Sequence, residues 1–195
     1  MELDLPELRR RLASRSQPEF AVFGDDGTEG RDAASTAAAV LIPLIAHDEL
    51  TVLFTQRTTH LKSHAGQVSF PGGRVEPGDA SAEFTALREA QEEIGLSPER
   101  VEILARLPDY RTRTGFRVTP VIGLVTPPLA LTPDPREVAS VFEVPLAFLL
   151  DPKNRQRRTR EFQGSTVGYY VFEFEDRVIW GATAGMLVNL YRMLE

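Results

Sequence analysis

The stretch from residue 80 to residue 95 constrains this chain more than any other, because its pattern fits a helix with two unlike sides. At about 100° per residue, Phe84, Leu87, Ala90, Gln91 and Ile94 gather on one side. Glu89, Glu92 and Glu93 gather on the other, at i, i+3 and i+4. Gly95 supplies a C-terminal stop, with Ser97 and Pro98 beyond it. Like charges at these spacings repel by about 0.2–0.5 kcal/mol per pair, and Arg88 can neutralise only part of that. Crowded oxygen ligands on a rigid element are what Mg2+ or Mn2+ prefers. The bland alternative is a solvated acidic face, which is commoner when such a helix is taken alone.

The preceding loop shifts that balance. Phe70-Pro71-Gly72-Gly73 runs from apolar to rigid to permissive, and paired glycines allow positive φ and close approach of backbone to a ligand. A carbonyl there, such as that of Gly73, is expected to face the helix carboxylates.

Around this pair the chain reads as one mixed α/β domain over residues 1–195. A short amphipathic helix is expected at 4–14 and a polar loop at 24–35. Strands follow near 36–46, 50–57, 67–70, 101–109, 116–126, 138–144 and 166–174. A short helix near 145–150, a basic loop at 152–160 and a last helix over about 180–194 complete the order. The run Ala37 to Ala46 is apolar but only ten residues long and holds Pro43. A membrane span needs about 20 residues, so this run is expected to be a buried strand. With no signal-type N-terminus either, the expected location is the cytoplasm. The chain has no cysteine and three scattered histidines, which removes disulfides, thiolate chemistry and a structural zinc site from consideration. A formal net charge of −6 argues against a general nucleic-acid binder, and no membrane partner is expected. An acidic protein that handles phosphates must supply local cations.

Arg88-Glu89-Ala90-Gln91-Glu92-Glu93-Ile94-Gly95-Leu96 resembles the second half of the Nudix hydrolase signature, Arg-Glu-U-x-Glu-Glu-x-Gly-U with U bulky and apolar. The first half departs from it. Gly73 to Arg88 is one residue longer than usual, and the acidic position is Asp79, whose role is thereby left open. Upstream, Leu53-Phe54-Thr55-Gln56-Arg57, Lys62, Gly66 and Phe70 to Gly73 resemble the coenzyme A-directed branch. Phe54, Thr58 and Lys62 are mild departures from that branch, and Trp180 to Ala184 resembles the start of its C-terminal helix.

The resemblance, covering about residues 36–190, implies a Nudix-type α+β fold, a mixed sheet sandwiched between helices. Its motif core is 36–126, with the N- and C-terminal helices as extensions. It implies hydrolysis of coenzyme A to 3′,5′-ADP and 4′-phosphopantetheine with Mg2+ or Mn2+. Glu89 and Glu93 are then the firmest metal ligands, Glu92 shares a second ion, and the Gly73 carbonyl completes the shell. Arg88 is expected to orient a glutamate, and Glu137 is a candidate general base from a later loop. Arg57 and Lys62 are the first candidates to bind the 3′-phosphate of that substrate, then Arg74, close to the metal loop, with Arg111 and Arg113 further out. Against these stand bland readings: Glu137 as a solvated carboxylate, the cations from Lys153 to Arg160 as a polar loop, Phe116 and Trp180 as core. Two rival activities share the scaffold. One is hydrolysis of ADP-ribose or a dinucleotide, the other non-catalytic nucleotide binding. Oligomeric state is not readable from the sequence.

Overall fold

A computed structural model describes residues 3–14, 35–60, 64–162 and 164–195. The loop expected at 24–35 lies almost wholly outside the described residues, and so does Lys62. Among the described residues the larger sheet has eight strands. Its path runs β3 (Val68–Ser69), β2 (Thr51–Arg57), β1 (Thr36–Ile45), β7 (Phe116–Val125), β5 (Val101–Arg106). Off this path, β4 (Gly72–Arg74) pairs with β1, β6 (Tyr110–Arg111) with β7, and β8 (Val138–Pro145) with β2. The β1–β7 pair is parallel and the other pairs are antiparallel, so the sheet is mixed, as expected.

Strand β1 shows why this sheet is covered on both sides. Its side chains alternate with period two. Ala39, Leu41 and Ile45 join a cluster with α2 (Ala82–Ile94), while Ile42 and Leu44 join the larger core. That core also takes Leu8 and Leu12 from α1 (Leu5–Ser14), Leu146 and Leu149 from α3 (Leu146–Leu149), and Leu187, Val188 and Leu190 from α4 (Gly181–Leu194). Pro43 cannot donate a hydrogen bond. It sits between the β4 pairing, which ends at Val40, and the β2 pairing, which begins at Leu44, where no antiparallel partner needs its N–H.

A second sheet corrects the expectation of a basic loop at 152–160. Residues Arg155–Phe162 form β9, which pairs along its length with β10 (Ser165–Phe174). Strand β11 (Arg177–Trp180), not foreseen, closes this antiparallel sheet and leads into α4. The arginines of β9 hide its strand character because they are kept by rings. Arg155 lies over Tyr191, Arg157 over Tyr170 and Arg160 over Trp180, at 5.0, 5.3 and 5.4 Å from the centroids. No helix among the described residues is long and apolar enough to cross a membrane.

Candidate active site

Helix α2 begins at Ser81, whose hydroxyl accepts from the Phe84 N–H at 3.2 Å, and ends at Gly95 with φ +69°. The Gly95 N–H donates to Gln91 O and that of Leu96 to Ala90 O, the paired bonds of a left-handed C-cap. The buried side differs from the expected one. Ala86, Ala90 and Ile94 face the sheet with Thr85 and Glu93, whereas Phe84 is half exposed and Gln91 is exposed. Small Ala86 and Ala90 set this rotation, because only there can the helix come close to Ala39 of β1.

The three glutamates are therefore not equivalent. The Glu93 side chain is 6% exposed, Glu89 16% and Glu92 60%. Burial pushes the Glu93 carboxyl up to about 8, against the pull of Arg57 and with the push of Glu89 and Glu137. Glu89 is raised mainly by burial, with Arg88 opposing. An acid buried this way is held at a cost unless a cation joins it. Arg57, whose Nη1 is 3.9 Å from Glu93 Oε1, is too distant for a hydrogen bond.

Arg88 ties the site together. It donates to Glu89 Oε1 at 2.8 Å, Glu92 Oε2 at 3.2 Å and the Arg74 carbonyl at 3.1 Å. Its Nε and Nη2 also reach the two Asp79 oxygens at 3.1 and 3.0 Å. Asp79 accepts in addition from Thr85 Oγ1 and the Glu76 N–H. Arg88 holds the Asp79 carboxyl well below the usual carboxylate range. The longer loop thus still delivers an acid to Arg88, a role that spacing alone left open.

Gly72 and Gly73 act through missing side chains. Neither has positive φ, contrary to one expectation. A Cβ on Gly72 would lie 2.5 Å from Ala39 O, and one on Gly73 would lie 2.4 Å from the Glu89 carboxylate. The loop holds Glu89 against backbone because no side chain intervenes. Glu137 arrives from far along the chain. The Thr132 and Asp134 N–H groups donate to Ile94 O and Glu93 O at 2.8 and 2.9 Å, which hangs the 132–137 loop on the end of α2. Glu137 is exposed, yet its charge raises both Glu89 and Glu93.

Beside β4 opens a cleft of about 420 Å³ that, among the described residues, is lined by Arg57, Arg74, Arg113 and Arg160 and by no carboxylate. In a chain with 28 acidic and 22 basic residues, that segregation is a local field for anions. Phe116 and Trp180, expected in the core, instead line this cleft and are partly exposed. Arg57 turns into it beyond a register shift at Gln56/Arg57 in the β2–β8 pairing. Arg111 does not line it. Arg113, an outlying candidate from the sequence, does line it; spacing could not single out Arg160, because that required β9 to be recognised as a strand.

Carboxylates of unequal burial, a glycine loop against them and an arginine-lined cleft make up a site for a phosphorylated small molecule. The family model for the NUDIX domain matches residues 35–167. The protein called "Uncharacterized Nudix hydrolase NudL" in Escherichia coli K12 is 42% identical over 153 residues, 78% of this chain and 80% of that one. Its namesake in Photorhabdus laumondii is 39% identical over 158 residues, 81% of this chain and 84% of that one. A MutT/nudix family protein from Enterococcus faecalis matches the fold with a TM-score of 0.51 at 19% identity, covering 96% of this chain and 67% of that one. The chain belongs to the Nudix hydrolase family, whose substrates are nucleoside diphosphates linked to a second group.

Proposed function

We propose that this chain hydrolyses the pyrophosphate bond of coenzyme A, giving 3′,5′-ADP and 4′-phosphopantetheine. The observation that supports this reading best is the cleft whose described lining holds four arginines and no carboxylate, beside glutamates of raised pKa. Coenzyme A carries a diphosphate bridge and a separate phosphomonoester, so it calls for cations at more than one place. The upstream Leu53-to-Gly73 pattern points to the same branch of the family.

Mg2+ or Mn2+ suits the residues present. Glu89 and Glu93 would hold it with the Gly73 carbonyl, and Glu92, the most exposed of the three, would share a second ion. The donors are hard oxygens, and Glu93 is a buried acid whose cation partner Arg57 stands 3.9 Å away, beyond hydrogen-bond reach. Among the described residues no three acidic or histidine side chains form a ready-made cage. The ion would therefore share its shell with substrate oxygens and water, the usual habit of Mg2+. When bound, it neutralises charge on the bridging phosphates and activates a water.

The remaining work falls to side chains. Arg88, braced by Asp79, fixes Glu89 and Glu92 in place. Arg57 and Arg74 bind phosphate oxygens at the cleft, with Lys62 assigned the same task. Glu137 accepts the proton of the attacking water, and its exposure lets it pass that proton to solvent.

Incubation with Mg2+ and, separately, coenzyme A, ADP-ribose and NADH, followed by chromatography, tests the reading. We expect 3′,5′-ADP from coenzyme A as the main product. Turnover of another substrate with none from coenzyme A would overturn the substrate assignment. Inertness towards all three would favour a binding module.

A further inference from the structure

The basic residues of β9 fare differently from one another. Arg158 is taken by Glu173 at 2.7 Å. Arg155 and Arg157 lie over Tyr191 and Tyr170, away from the residues that line the cleft. Arg160 lines the cleft, and its guanidinium sits 5.6, 5.7 and 5.4 Å from the ring centroids of Phe162, Tyr169 and Trp180. No carboxylate pairs with it among the described residues, although the chain is acidic. The strand register explains the grouping. Arg160 faces Val167, and Trp180 faces Val171 four residues along β10, an even number, so their side chains project from one face of the small sheet. Tyr169 and Trp180 meet edge to face at 5.9 Å and brace each other. Arg113 lies 5.2 Å from the same Phe162 ring and lines the same cleft.

A guanidinium held among rings by cation–π attraction has no acceptor there, so its N–H donors remain for an anion, in the fork that fits two oxygens of a phosphate. The surrounding rings also limit the rotamer freedom that an exposed arginine must lose on binding.

From this arrangement we propose that Arg160, aided by Arg113, is a specificity-determining residue. It binds a phosphomonoester on the nucleoside half of the substrate, remote from the bond that is cut. The inference rests on the coenzyme A reading, in which that group is the 3′-phosphate. The pantetheine arm is neutral and would leave this ring-bound guanidinium without an ionic partner. The assignment moves recognition of this phosphate from the motif loop to the small sheet.

The test compares coenzyme A with 3′-dephospho-coenzyme A in the wild type, Arg160→Ala and Arg160→Lys. We expect the wild type to favour coenzyme A in kcat/KM by about 10- to 100-fold, the range of a charge-assisted hydrogen-bond pair. Arg160→Ala should collapse that preference to within about threefold, through KM, and Arg160→Lys, lacking the fork, should fall between. A preference that survives in Arg160→Ala, or equal losses for both substrates, would overturn the inference. Thermal melting checks that the variants fold.

Trp180 is the chain's sole tryptophan, so its fluorescence separates this inference from the reading beneath it. Wild-type protein titrated with 3′,5′-ADP should bind more tightly than with AMP, and Arg160→Ala should bind both alike. That result would support the Arg160 site even if coenzyme A were not hydrolysed. Equal affinity for both nucleotides in the wild type would refute it even if coenzyme A were hydrolysed.

Discussion

Replacing Glu93 with glutamine removes a charge that the fold buries while keeping nearly the same shape. The Glu93 side chain is 6% exposed, and burial lifts its carboxyl to about 8 from the ordinary 4.5. Below pH 4.5 both folded and unfolded chains carry the protonated acid, so it costs nothing. Between pH 4.5 and 8 the unfolded chain ionises while the folded one resists, and stability falls. Above pH 8 the loss is complete. At 1.36 kcal/mol per pH unit, the interval from 4.5 to about 8 sets an upper bound of about 5 kcal/mol. Relaxation and water entry lower such costs, so Glu93→Gln should stabilise the metal-free protein by about 1–3 kcal/mol at pH 8.5. For a chain of this size that is a rise in Tm of about 3–10 °C, and it should vanish near pH 4.5. Circular dichroism melts in chelator-treated buffer at the two pH values measure it. Saturating Mn2+ should reverse the order, since a ligand at 100 times its Kd stabilises by about 2.7 kcal/mol and the variant has lost a donor. An equal Tm for wild type and variant at both pH values would refute the reasoning that Glu93 is a charge held at a cost.

Other substitutions read different parts of the site. Gly73→Ala places a Cβ 2.4 Å from the Glu89 carboxylate, so it should lower kcat by about 10²-fold through misplacement with little change in Tm. Gly72→Ala meets backbone instead, 2.5 Å from Ala39 O, and should cost about 1–3 kcal/mol of stability in a denaturant titration. Asp79→Asn takes a charge from the brace on Arg88. It should reduce kcat/KM by about 10- to 100-fold, as for partners that orient ligands. Mn2+ affinity should rise with pH towards about 8 as Glu93 gives up its proton, and calorimetry in two buffers of different ionisation enthalpy should detect that proton.

Much of the architecture could be read from the residues. The apolar run of β1 and the Gly95 stop on α2 are local signals, and they mark real elements because tertiary packing agrees with them. The orientation of α2 was not legible. A helical wheel gives relative angles only, and the buried arc was chosen by Ala86 and Ala90 fitting the sheet, which turned Glu93 inward and Phe84 outward. Strand β9 was missed because its cations suggest a solvated loop, whereas rings and Glu173 hold several of them. Its recognition would have needed the pairing with β10. Glu137 was chosen as an acid in a later loop. The hydrogen bonds from Thr132 and Asp134 that carry its loop to α2 have no counterpart in any periodicity. Asp79 was left open because one extra residue broke the usual spacing, and the hydrogen bonds from Arg88, Thr85 and the Glu76 N–H that place it are not visible in spacing.

The central claim is that Glu89 and Glu93 hold the divalent ion that serves a diphosphate. Electron paramagnetic resonance of free Mn2+, titrated against wild type, Glu89→Gln, Glu93→Gln and Glu92→Gln, tests it most directly. The account predicts saturable binding that weakens at least about tenfold on losing either buried glutamate and less on losing the exposed Glu92. Undiminished Mn2+ binding in both Glu89→Gln and Glu93→Gln would contradict it.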